Sequence, residues 1–132
     1  HLKMPVVNLE NNDLNKNDFY PFKTSAAKLA MTAHILYKKI DNKNVATFSK
    51  KIIKEIIRKK IGYKGIIMSD DISMKALRYD LITNAKKSLE AGCNLVLYCA
   101  GNIKDNLKLI KTVPYIDKFT SKKTSEIYKI LR

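Results

Sequence analysis

The chain is poor in cysteine, glycine and acid, and each shortage removes a class of function. Cys93 and Cys99 are the only cysteines in 132 residues. They lie on one strand-like segment, roughly 20 Å apart at about 3.3 Å per residue. That is too far for a disulfide between them, and two free thiols fit a reducing cytoplasm. No Cys/His cluster has metal-ligand spacing, and none of the four glycines belongs to a phosphate-cradling loop. Neither a metal site nor a phosphate loop is therefore expected. No apolar run approaches the roughly 20 residues needed to span a bilayer, so no membrane partner is expected either.

The shortage of acid leaves a formal charge of +14, from 26 Lys and Arg against 12 Asp and Glu. A basic nucleic-acid-binding module is the rival hypothesis this raises. The charge is mostly Lys spread along helical segments, as at Lys50, Lys51, Lys54, Lys59, Lys60, Lys86 and Lys87. The tyrosines are scattered rather than set on alternate strand positions for base stacking. Specific nucleic-acid binding is not expected; weak, salt-sensitive adhesion is.

What the chain does have is the segment K-G-I-I-M-S-D-D-I-S-M from Lys64 to Met74. Gly65 to Ser69 reads as a strand covered on both faces, and it delivers Asp70 and Asp71 at its carboxyl end. In α/β barrels and open parallel sheets that end is where catalytic groups collect. Ser69, Asp70 or Asp71 capping a following helix is an equally good reading of these residues alone. Alternation in an extended chain sends the two carboxylates to opposite faces. They are not expected to form an acid/base pair: if one serves chemistry, the other caps a helix or holds neighbouring backbone.

Around this segment, strand and helix alternate as in a parallel sheet. Residues 1 to 22 read as a polar loop, a helix is predicted around Thr24 to Lys28, and a strand near Leu29 to Ile35. A helix from about Ser49 to Lys60 carries Ile52, Ile53, Ile56 and Ile57 at helical spacing, with Ser49 as N-cap. Asp80 to Ala91 reads as an amphipathic helix closed by Gly92. The strand Asn94 to Tyr98 and helices near Ile103 to Thr112 and Ser121 to Leu131 complete the pattern.

Taken in order, H-L-K-M-P (1–5), P-F (21–22), M-T-A-H-I (31–35), Y-K-K-I-D (37–41), A-T-F-S (46–49), I-R-K-K-I-G-Y-K-G-I-I-M-S-D-D-I-S-M (57–74) and A-G-C-N-L-V-L (91–97) resemble a known family. They are similar to the carboxyl-terminal part of the catalytic barrel of bacterial β-N-acetylglucosaminidases (β-hexosaminidases) of glycoside hydrolase family 3. These enzymes remove terminal N-acetylglucosamine from peptidoglycan fragments during wall recycling. Two departures stand out: Val45 where the family usually has Pro, and Asn94 where it usually has Asp.

The resemblance implies a retaining glycoside hydrolase that needs no cofactor and takes an N-acetylglucosamine-containing saccharide. It makes Asp70 the nucleophile, as the first Asp of the S-D-D motif. It makes His1 the general acid/base, as the His of a D-S-H tripeptide whose Asp would lie two residues upstream. The plain alternative for His1 is a terminal residue left by truncation. A His beside a carboxylate nucleophile departs from the usual pair of carboxylates, but it titrates near neutrality and can perform both proton transfers. His34 and Met74 are substrate-binding candidates. For His34 the competing reading is a hydrogen-bonded barrel-rim histidine, and for Met74 it is core packing.

A (β/α)8 barrel needs about 250 residues, whereas this chain has 132 and three clear strands. The expected fold is therefore α/β, with about the last three βα units of a TIM-type barrel. Residues 1–132 would be a partial catalytic domain without a second domain. Three adjacent strands leave open apolar edges, so a missing amino-terminal half is an expected partner and the isolated chain is expected to turn over little. A non-catalytic remnant or half-barrel subunit is the alternative.

Overall fold

Ile66 and Ile67 are 0% and 1% exposed, although neighbouring strand residues point to opposite faces. The strand that carries them is thus covered on both sides, as its unbroken apolar run predicts. A computed structural model of the chain describes residues 3–131 and places this strand, β4 (Ile66–Asp71), at the centre of a three-stranded parallel sheet. β2 (Leu29–Met31) lies on one side, in register Leu29 to Ile66 and Met31 to Met68. β5 (Leu95–Leu97) lies on the other. A second parallel ladder joins β1 (Val6–Val7) to β3 (Leu36–Tyr37). The α/β class expected from the sequence is the one observed.

Two helices make the crossovers. Lys51–Lys60 winds with wide i→i+5 turns, and Ile61 N–H meets Ile56 O at 2.8 Å. It buries Ile52, Ile53 and Ile56 while Lys51, Lys54, Lys59 and Lys60 face water. Ser49 acts as its predicted cap, its Oγ accepting Ile52 N–H at 3.1 Å. The second crossover, α3 (Leu81–Ala91), starts on the Asp80 carboxylate, which accepts Ile82 and Thr83 N–H, and ends at Gly92 with φ +119°. Gly92 is required there twice over. Its φ is left-handed, and a Cβ would stand 3.0 Å from Ile53 Cγ2. α4 (Ile103–Thr112) matches its prediction; α5 (Lys118–Ile130) begins three residues early, on the cap Asp117.

Three expectations need correction. The stretch read as a polar loop contains β1 and three helical turns: α1 (Asn11–Asp13), a wide turn Leu14–Asp18, and α2 (Tyr20–Lys23). Leu14 (1% exposed) and Phe19 pack under Ile40, Ile52 and Ile56, while Asn17 and Asp18 between them face water and Asn15 is half-buried. The helix expected around Thr24 to Lys28 is absent, because the turn starting at Tyr20 takes Pro21 in its first positions and stops at Thr24. The strand expected to reach Ile35 ends at Met31; after Thr32 N–H donates to Met68 O (2.9 Å) the chain leaves the sheet to build β3. Val45, where the family usually has Pro, sits at φ −60°, an angle Pro itself holds.

At the amino end of the sheet, Arg58 ties the elements together. Its guanidinium donates to Tyr63 O (3.0 Å), Gly65 O (2.6 Å) and Asn94 Oδ1 (2.7 Å). It lies 5.6 Å from the ring centres of both Tyr63 and Phe119. Asn94 also accepts Ile67 N–H (2.9 Å) and donates to Thr120 Oγ1 (3.0 Å), bringing in α5.

Candidate active site

At the carboxyl end of the same strands the ladder is irregular. Met68 pairs with Leu95, but Asp71 pairs with Leu97, so three steps along β4 oppose two along β5. This is a bulge at Ser69 and Asp70, the kind of defect that re-aims a side chain. Ser69 is fully buried and fills the gap, its Oγ accepting Leu97 N–H at 3.0 Å. Ile72 N–H then returns to Leu97 O at 2.9 Å. The strand thereby runs two residues past the predicted Ser69 and includes both carboxylates.

Asp70 is half-buried in the bulge. Its Oδ1 accepts Asp71 N–H at 2.8 Å, and among the described residues no cation pairs with it. Asp71 has different work. Its carboxylate accepts Ser73 N–H (3.0 Å), the Ser73 hydroxyl, and Cys99 N–H (3.2 Å). Burial works to raise the Asp71 carboxyl, but these donors outweigh it and hold it below its ordinary value of 3.8. The two acids do not pair with each other, and Asp71 holds backbone, as the sequence suggested for one of them. Neither caps a helix: two turns follow, and α3 begins on Asp80 instead.

His34 is 3% exposed. Its Nε2 lies 2.9 Å from Asp71 O and its Nδ1 2.8 Å from Thr47 Oγ1. A carbonyl only accepts, so Nε2 carries a proton and donates; Nδ1 is hydrogen-bonded to the Thr47 hydroxyl, which also reaches Ala33 O at 3.3 Å. Thr47 is itself fully buried, 2.9 Å from Thr32 Oγ1. Both His34 nitrogens are thus taken by protein groups, which is the geometry of the hydrogen-bonded reading rather than of a residue facing an open pocket. Thr47 escaped attention in the sequence, although it stands in the quoted A-T-F-S segment. Met74 is not in a helix but in a turn, its N–H meeting Asp71 O at 3.2 Å. It lines a cavity of about 260 Å³ with Ile72, Leu77, Tyr79, Tyr98 and Asp105. His1 lies outside the described residues.

The end of β4 is therefore fastened from both sides at Asp71, by His34 on its carbonyl and by Cys99 N–H on its carboxylate, and the Asp71 N–H in turn holds the Asp70 carboxylate. Such an arrangement suits a carboxylate that must meet an electrophile in one orientation. Among the described residues no group of three His, Cys, Asp or Glu side chains is placed to hold a metal.

The model of the glycosyl hydrolase family 3 N-terminal domain matches residues 1–126. The chain belongs to glycoside hydrolase family 3. A β-hexosaminidase of Actinobacillus succinogenes is 33% identical over 128 residues, covering 89% of this chain and 37% of that protein. One from Nitrosomonas eutropha is 38% identical over 104 residues, covering 75% and 30%. Among solved structures, NagZ from Neisseria gonorrhoeae in complex with N-trifluoroacetyl-D-glucosamine superposes with a TM-score of 0.80 at 28% identity, covering 93% of this chain and 37% of that one. The family 3 chain thus spans 37% and 30% of the length of these two relatives. The expectation of a carboxyl-terminal part is corrected, since the matching model is that of the family's N-terminal domain. The ordered segments that suggested a late position, S-D-D among them, all lie within that match.

Proposed function

We propose that this family 3 chain is part of a retaining β-N-acetylhexosaminidase that removes terminal β-linked N-acetylglucosamine, with Asp70 as nucleophile. The observation that carries the reading is Asp70 itself: a carboxylate re-aimed by a bulge at the carboxyl end of a central parallel strand, beside a neighbour fastened on two sides. Asp70 Oδ attacks the anomeric carbon, the bond to the leaving oxygen breaks, and that oxygen takes a proton from the His1 imidazolium. Neutral His1 then removes a proton from water, which attacks the same carbon and frees Asp70. Two displacements retain configuration.

The parallel sheet with crossover helices supports a (β/α)8 barrel, with residues 1–132 part of one catalytic domain. The relatives' name, β-hexosaminidase, and the N-acylglucosamine in the gonococcal NagZ complex support the sugar. Peptidoglycan fragments in the cytoplasm are the natural source we assign to it, and the rest of the barrel is the partner. The test is release of 4-nitrophenol from its N-acetyl-β-D-glucosaminide, by the chain alone and mixed with the remaining part of the domain expressed separately. Activity should fall on the order of 10⁴-fold in Asp70→Ala with an unchanged unfolding midpoint. Silence in every folded mixture, or full activity in Asp70→Ala, overturns the reading.

A further inference from the structure

Beyond the rung from Thr32 N–H to Met68 O, β2 offers no backbone partner to β4, just where β4 bulges and carries its acids. The His34 side chain takes over that role. Its ring N–H holds Asp71 O at 2.9 Å, and the N–H of that same Asp71 holds the Asp70 carboxylate at 2.8 Å. The ring is held from behind by Thr47, whose own hydroxyl is set against Thr32. The line Thr32, Thr47, His34, Asp71, Asp70 runs unbroken from the buried end of β2 to the reactive oxygen, and each member up to His34 is at most 6% exposed.

We propose that His34 is a positioning residue: a buried imidazole that replaces the missing rung of β2 and fixes the Asp70 carboxylate through the Asp71 backbone. The role rests on the nucleophile reading of Asp70. His34 is 3% exposed with both ring nitrogens taken by protein groups, so its loss should leave ground-state binding intact and misalign attack. A misplacement of about 1 Å is worth on the order of 100-fold in rate.

The test measures kcat and KM on 4-nitrophenyl N-acetyl-β-D-glucosaminide, for the chain combined with the rest of the domain as in the test above, and the urea unfolding midpoint of the chain, for two substitutions that divide the ring between them. His34→Gln places an amide N–H near the Nε2 position and keeps a donor for Asp71 O. His34→Asn reaches Thr47 but not Asp71 O. His34→Asn should lose about 100-fold in kcat with KM within about twofold, while His34→Gln recovers most of kcat at a similar midpoint. Should His34→Asn fail to fold, Thr47→Val and Thr47→Ser decide: the first frees the ring and should lose kcat alone, the second keeps the hydroxyl and should not. Unchanged kcat in folded His34→Asn, or equal losses in the Asn and Gln variants that track their midpoints, overturns the role. A folded wild type without activity overturns the glycosidase reading, and the positioning role with it.

Discussion

The two ends of the parallel sheet solve opposite problems with similar side chains. At the amino end every partner is satisfied: Arg58 reaches two carbonyls and Asn94, and Asn94 reaches β4 and α5 as well. At the carboxyl end the neighbours of Asp70 are held just as firmly, yet Asp70 keeps carboxylate capacity unspent. The first arrangement stabilises, while the second holds in place a carboxylate with acceptor capacity to spare. In barrel enzymes the two faces divide in this way, with chemistry at the carboxyl end of the strands and stability at the amino end. The difference lies less in residue type than in whether a polar group has spare valence.

The strongest way to break this contrast is Arg58→Ala. It strands the Tyr63 and Gly65 carbonyls, takes one of two donors from Asn94 Oδ1, and removes a cation from beside Tyr63 and Phe119. The expected cost is about 3 kcal/mol, from unmet acceptors and lost cation–π contact, read as a lower urea midpoint. Arg58→Lys should recover only part, because one ammonium cannot reproduce the fork. If Arg58→Ala unfolds at the wild-type midpoint, the amino end is not the structural end.

Asn94→Asp sharpens the same contrast with a smaller effect. Among the described residues no carboxylate pairs with Arg58, and the family's usual Asp would supply one. The new carboxylate keeps the bonds from Arg58 and Ile67 N–H, and the Thr120 hydroxyl turns from acceptor to donor. Exchanging a neutral for a charge-assisted bond should add about 1 kcal/mol. The gain holds above the ordinary Asp pKa and vanishes as the new acid is protonated. A loss of stability at neutral pH would mean that the Asn94 amide donor to Thr120 outweighs the pairing.

How much of this was legible depends on whether the signal was local. The apolar runs at Leu29, Ile66 and Leu95 announced their strands, and Asp80 and Gly92 marked both ends of α3, because each signal lies in a few consecutive residues. The bulge was not legible: it is a mismatch between β4 and β5, and neither strand encodes it alone. His34 was visible as a candidate, but its partners stand 13 and 37 residues away, so its place in the interior was not. Leu14 and Phe19 were lost among Asn and Asp neighbours, since two buried apolar side chains suffice to anchor a stretch that is otherwise polar and exposed. Arg58 read as one more cation in a basic helix until Asn94 and Phe119 were placed beside it.

The smallest effect separates the two ends by acid. Asp71 has a folded pKa below its ordinary 3.8, because the donors from Ser73 and Cys99 outweigh burial. Its contribution to stability is therefore complete above 3.8 and disappears as pH falls through the lower, folded value. Asp80 and Asp117, which cap α3 and α5, are lowered in the same sense, so a global unfolding curve would blend all three. Amide exchange resolves them. On acidification through that window, protection at Cys99 N–H should fall first, since its acceptor is the Asp71 carboxylate. Ile67 N–H, held by the uncharged Asn94 amide oxygen at the other end, should keep its protection until the whole chain opens. Ser73→Ala should move the Cys99 loss to higher pH, because it removes a bond that favours the Asp71 anion. Equal and simultaneous loss at Cys99 and Ile67 would show that the two ends form one cooperative unit, with no separate acid-sensitive clasp beside Asp70.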